Sequence, residues 1–165
     1  MVNQSVCIIL ALALKVFVKI NLNIFLLMIF GIGIDLVSIG RIEHLMFQFK
    51  EKFAEKIFTA NEILQANKIQ ATEQNSAQRI AFYAKRFAAK EAFSKACGLG
   101  IGRGIDFRDI EIANDVLGKP YVKILNDKEE FLKKHFHCKK FITHLSLTDE
   151  LPLAQAMVVI ELVQD

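Results

Sequence analysis

The sequence predicts an α+β fold, with helices packed on a small antiparallel sheet. Two observations carry the prediction. Between residues 38 and 97 apolar residues recur mostly at helical spacing, whereas between 107 and 163 they fall largely into strand-like runs separated by turns. No repeat, low-complexity stretch or interdomain linker interrupts this order, and 165 residues suffice for one domain with a real core.

The elements are taken in chain order. Ile29 to Asp35 reads as a buried strand. It stops at a carboxylate, which is either a solvated cap or a group held for a ligand. From Ser38 to Phe49 the residues Ile39, Ile42, Leu45, Met46 and Phe49 recur at three and four, predicting a helix that Ser38 can N-cap. Its other face carries Arg41, His44, Gln48 and Lys50. Thr59 with Glu62 three residues on forms a capping-box pattern opening a short helix. Thr72 to Ser76 is polar and reads as loop, and Ala77 to Cys97 is the longest helical pattern, placed to end at Gly98. "FRDIEIAND" and "KPYVKIL" read as two strands around a turn at Asn114 to Gly118. Asp127 to Phe136 is a short amphipathic helix, followed by strands in "KFITHLSLTD" and "LAQAMVVIELV".

Residues 1–27 stand apart. Val6 to Leu14 is apolar, but Lys15, Lys19, Asn21 and Asn23 break up the stretch after it. A membrane-spanning helix needs about 20 mostly apolar residues, and no basic region precedes the run as in a secretory signal. An upstream extension before a natural start at Met28, a membrane-associating segment and an extra packed helix are the open readings; the first is preferred, with the domain expected over residues 28–165. The net charge of +3 is too small to argue for a nucleic-acid binder. Three cysteines without CxxC spacing suggest reduced thiols in a cytoplasmic protein.

Chemistry concentrates in the long helix. In "KRFAAKEAFSKACG" the residues Phe87, Glu91 and Lys95 are four apart and share one face. An acid and a base one turn apart are usually a solvated pair, but Glu91 borders Ala88 and Ala92, which suggests partial burial. "GLGIGRG" comes next, with glycines at 98, 100, 102 and 104. It serves either a tight connection or close approach of backbone N–H groups to phosphate. His144 lies mid-strand with Ser146 on its face and reads first as structural. In "HFHCKK" the spacing fits no standard zinc pattern, so a helix end is the better reading.

Together, "GIGIDLVSIGRIE", "KRFAAKEAFSKACGLGIG", "GKPY" and "ITHLSLTDE" resemble, in identity and order, the holo-(acyl-carrier-protein) synthase family of 4'-phosphopantetheinyl transferases. The resemblance covers Met28 to about Val163. It implies the 4'-phosphopantetheinyl transferase fold, assembled as a homotrimer with sites between subunits. It also implies transfer of the phosphopantetheine arm of coenzyme A to a serine of apo acyl carrier protein, in fatty acid biosynthesis. Asp35 and Glu91 match the family's magnesium-binding acids, and Lys95 its phosphate-binding lysine. Arg86, Gly100, Gly102 and His144 match positions near the coenzyme A phosphates and nucleotide. Arg41 matches a basic residue that grips the carrier. Asp35, or a water it orients, is the candidate acceptor of the serine proton.

Overall fold

The computed structural model describes residues 27–69 and 73–163. The expected extension over residues 1–27 lies outside them apart from Leu27. Strand β1 (Leu27–Ser38) leads into helix α1 (Ile39–Phe49), which Ser38 caps by accepting from the Arg41 N–H at 3.3 Å. Helix α2 (Glu51–Ile57), unanticipated from the sequence, precedes α3 (Ala60–Asn67), where Thr59 and Glu62 form the expected capping box. Helix α4 spans Glu73–Ala96, so the stretch read as loop is helical from Glu73 onward. The stretch carries no glycine or proline to stop a helix. A 3₁₀ turn (Phe107–Asp109), strands β2 (Ile110–Asn114) and β3 (Pro120–Ile124), helix α5 (Lys128–His135), and strands β4 (Lys140–Glu150) and β5 (Leu153–Val163) complete the fold.

The main sheet is antiparallel in the order β1-β5-β4, and β2 and β3 form a separate hairpin. The described ends of the chain therefore meet: Asp35 sits opposite Ala156, which in turn sits opposite Leu147. Helix α4 packs on one face of this sheet through Ala88, Ala89, Ala92 and Ala96, all buried. Gly31 and Gly33 of β1 meet its backbone at Ala96 and Ala92 with no side chain between. Around this contact Ile42, Phe58, Phe93, Ile105, Ile110 and Val158 are almost fully buried. Phe58 and Phe93 each contribute roughly 1.5–3 kcal/mol through burial.

Two strand readings need correction. Asp35 is not at a strand end, because β1 continues to Ser38. Nor is β1 buried on both faces: Ile32 is 58% and Leu36 56% exposed, while Gly33 and Val37, the residue after each, are buried. A one-chain sheet with a helix on one side leaves its other face uncovered, and side chains alternate between the two.

Candidate active site

Asp35 points to the helix-covered side of the sheet, the side of Gly33 and Val37. There it meets α4. Lys95 Nζ lies 2.7 Å from Asp35 Oδ1 and donates also to the Ile34 carbonyl at 3.1 Å. The lysine thus pairs across elements with Asp35 rather than with Glu91 one turn back. Asp35 is largely shielded and Lys95 half-exposed, so the pair lies at the edge of the α4–β1 contact.

Glu91 completes the cluster. Desolvation by partial burial raises its carboxyl above the ordinary range, and the Asp35 carboxylate pushes it in the same direction. Lys95 and Arg41 oppose the shift. Two carboxylates, one lysine and one arginine from β1, α1 and α4 therefore share one field. Among the described residues no group of three or more His, Cys, Asp or Glu converges on a metal-sized site. A cation here would have two protein carboxylates and would complete its shell elsewhere, which suits a hard ion that keeps waters and takes phosphate oxygens.

The remaining predicted residues sit apart. Arg86 is buried between α4 and β2: its guanidinium lies 3.3 Å from the centre of the Phe82 ring and donates to Asn114 Oδ1 at 3.1 Å. Its Nε is buried without a partner among the described residues, and burial lowers its pKa to about 10. It lines a cavity of about 410 Å³ with Asn61, Glu62, Glu111 and Tyr121. Gly98, Gly100 and Gly102 adopt φ of 71°, 76° and 85°, a region that favours glycine. Their N–H groups donate within the turn, to Lys95, Ser94 and Ile105 carbonyls. These three amides are thus engaged at home, and what the glycines offer an incoming group is absence of side chains. His144 lies on the uncovered face of the sheet, 2.9 Å from Glu161, and so does not join Asp35 within one chain. The "HFHCKK" segment does end a helix: His135 closes α5 and contacts the Cys97 carbonyl at 2.9 Å.

A model of the 4'-phosphopantetheinyl transferase superfamily matches residues 31–156. This chain belongs to that superfamily. A holo-(acyl-carrier-protein) synthase from Bartonella bacilliformis is 43% identical over 136 residues, covering 81% of this chain and 96% of the relative. The crystal structure of the Neisseria meningitidis synthase is similar with a TM-score of 0.70 and 38% identity, covering 81% of this chain and 98% of that one. A Bacillus anthracis synthase, solved in complex with CoA (3',5'-ADP), gives 0.64 and 39%, covering 81% and 97%. Sequence reasoning singled out Asp35, Glu91 and Lys95, but it passed over Lys90 and read Glu62 only as a capping-box residue. Lys90 and Glu62 form a buried ion pair of 2.7 Å. The available signal was positional: Lys90 falls on the helix face of Phe93 and Phe82, where a solvated lysine does not belong.

Proposed function

We propose that this chain transfers the 4'-phosphopantetheine arm of coenzyme A to a serine hydroxyl of apo acyl carrier protein, releasing adenosine 3',5'-bisphosphate. The observation that carries the reading is the convergence of Asp35, Glu91 and Lys95 from the two family motifs. Asp35 and Glu91 would hold magnesium, and the raised pKa of Glu91 fits two carboxylates that need a cation between them. The bound ion supplies charge neutralisation on the pyrophosphate. Lys95, half-exposed beside Asp35, offers a compact cation to a phosphate oxygen. Asp35, or a water it orients, takes the proton from the attacking serine. Positioning and electrostatics then supply most of the rate, as in phosphoryl transfer generally.

Arg41 sits exposed at the start of α1, close enough to act on Glu91, and is placed to meet an acidic partner beside the site. Docking rests on Arg41, with Lys50 or Lys52 beyond the end of α1. The uncovered sheet face, with Ile32, Ile34, Leu36 and Met157 exposed, supports assembly as a homotrimer. In that assembly His144 would serve the nucleotide bound by a neighbouring copy, and Arg86, Gly100 and Gly102 would lie along the coenzyme. The transferase domain comprises residues 28–165, works in the cytoplasm and serves fatty acid biosynthesis. Among the described residues no helix is long and apolar enough to cross a membrane.

The test mixes the protein with apo acyl carrier protein, coenzyme A and magnesium and weighs the carrier intact. A carrier heavier by one phosphopantetheine, and unchanged with Asp35→Ala, Glu91→Ala or EDTA, supports the reading. Coenzyme A breakdown with an unmodified carrier would replace it with a phosphohydrolase.

A further inference from the structure

Lys90 has no direct part in this chemistry, yet it is fully buried in α4 immediately before Glu91. Its ammonium meets the Ile57 carbonyl at 2.9 Å, the Phe107 carbonyl at 2.9 Å and Glu62 Oε2 at 2.7 Å. That engages all three donors of a lysine. Glu62 is itself held, accepting from the Thr59 N–H at 2.8 Å and the Ile112 N–H at 2.9 Å. One side chain of α4 is thereby tied to the end of α2, the start of α3, the 3₁₀ turn and β2.

Stability alone does not explain this arrangement. Desolvating two charges offsets most of what their attraction returns, and a well-packed apolar pair serves as well or better. Orientation does explain it. Helix α4 touches the sheet mainly through alanines and the glycines of β1, and its polar ties to the sheet, Lys85 to Asp149 and Lys95 to Asp35 and the Ile34 carbonyl, are partly exposed, which leaves Lys90 as its fully buried charged anchor. A rotation of about 20° moves a carboxylate about 6 Å from the helix axis by about 2 Å. Misplacement of about 1 Å at a reacting centre costs on the order of 10²-fold in rate. Successive helical residues point about 100° apart, so a rigid anchor at Lys90 dictates where Glu91 points.

We propose that Lys90 and Glu62 are positioning residues: their buried pair sets the rotation of α4 that aims Glu91 at Asp35. The inference rests on reading Asp35 and Glu91 as the metal-binding acids.

The test is the full-length double variant Lys90→Met, Glu62→Leu, which removes both charges together and leaves neither stranded. Folding is checked by circular dichroism and thermal melting. Mn2+ binding in the presence of coenzyme A is read by electron paramagnetic resonance, alongside carrier modification. The expected result is a folded protein whose Mn2+ affinity falls at least five-fold and whose kcat falls at least 30-fold, with KM for the carrier within two-fold. A folded double variant with Mn2+ affinity and kcat within two-fold of the parent overturns the proposal. If the double variant does not fold, Lys90→Arg replaces it. It keeps the charge but alters the donor geometry, and the same thresholds decide. A parent protein that neither binds Mn2+ nor modifies the carrier overturns the transferase reading instead, so the two failures are distinguishable.

Discussion

Replacing Gly33 by alanine tests whether the site depends on the close approach of β1 to α4. A Cβ at this position would lie 2.6 Å from the Ala96 amide nitrogen and closer still to the Ala92 carbonyl oxygen. Both obstacles are backbone, so no side chain can swing aside. Restoring ordinary contact requires α4 and β1 to separate by about 1.5 Å in an interior packed like a crystal. Overpacking typically costs about 1–3 kcal/mol, and a backbone obstacle belongs at the upper end. For a domain of this size that corresponds to a fall in Tm of about 10 °C. The same displacement stretches the 2.7 Å contact of Lys95 with Asp35 and moves Glu91 with it. We therefore expect transfer to fall on the order of 10²-fold. The assays are thermal melting and intact-mass measurement of the carrier. Gly40→Ala is the control: there a Cβ meets only Ser38 Oγ at 3.8 Å, and alanine favours the helix by about 0.5–1 kcal/mol. A Gly33→Ala protein melting within 2 °C of its parent at full rate would refute the reasoning.

Glu91→Gln is expected to abolish transfer yet to raise the Tm of metal-free protein at neutral pH. The folded carboxyl titrates above its unfolded value, so its stabilising contribution is complete below the unfolded pKa and is lost as pH rises through the folded one. The Tm gap between variant and parent should therefore open with rising pH and close when magnesium and coenzyme A are added. In the metal-free parent, the Glu91 carboxyl should titrate above the ordinary glutamate range in an NMR titration and move down when magnesium is added; a carboxyl that magnesium does not move would count against Glu91 as a ligand. Arg41→Ala should raise KM for the carrier at low salt, with the difference shrinking as salt increases. An unchanged KM in low-salt kinetics removes Arg41 from docking. On the proposed homotrimer, Ile34→Lys on the uncovered sheet face should shift the protein toward monomer in sedimentation and lose activity with it; a fully active monomer would refute that proposal.

Much of this protein was legible in its sequence. All the helices but α2 announced themselves, by apolar spacing or by caps at Ser38, Thr59 and Gly98, because those signals are local and depend on a few adjacent residues. Asp35, Glu91 and Lys95, which the fold brings together, could be singled out in the sequence because they lie in recognisable motifs. Other features depended on residues far apart in the chain. That β1 pairs with β5, and so brings Asp35 under a helix sixty residues later, comes from burial of a shared face and not from either strand alone. The same holds for Lys95 choosing Asp35, for the turn amides of Gly100 and Gly102 being already engaged, and for His144 facing away from Asp35. Lys90 shows the division most clearly. Its position on an apolar helix face is written in the sequence, but which carbonyls and which carboxylate satisfy it was decided only when α2, α3 and the 3₁₀ turn closed around it. A buried charge requires partners, and tertiary packing supplies them.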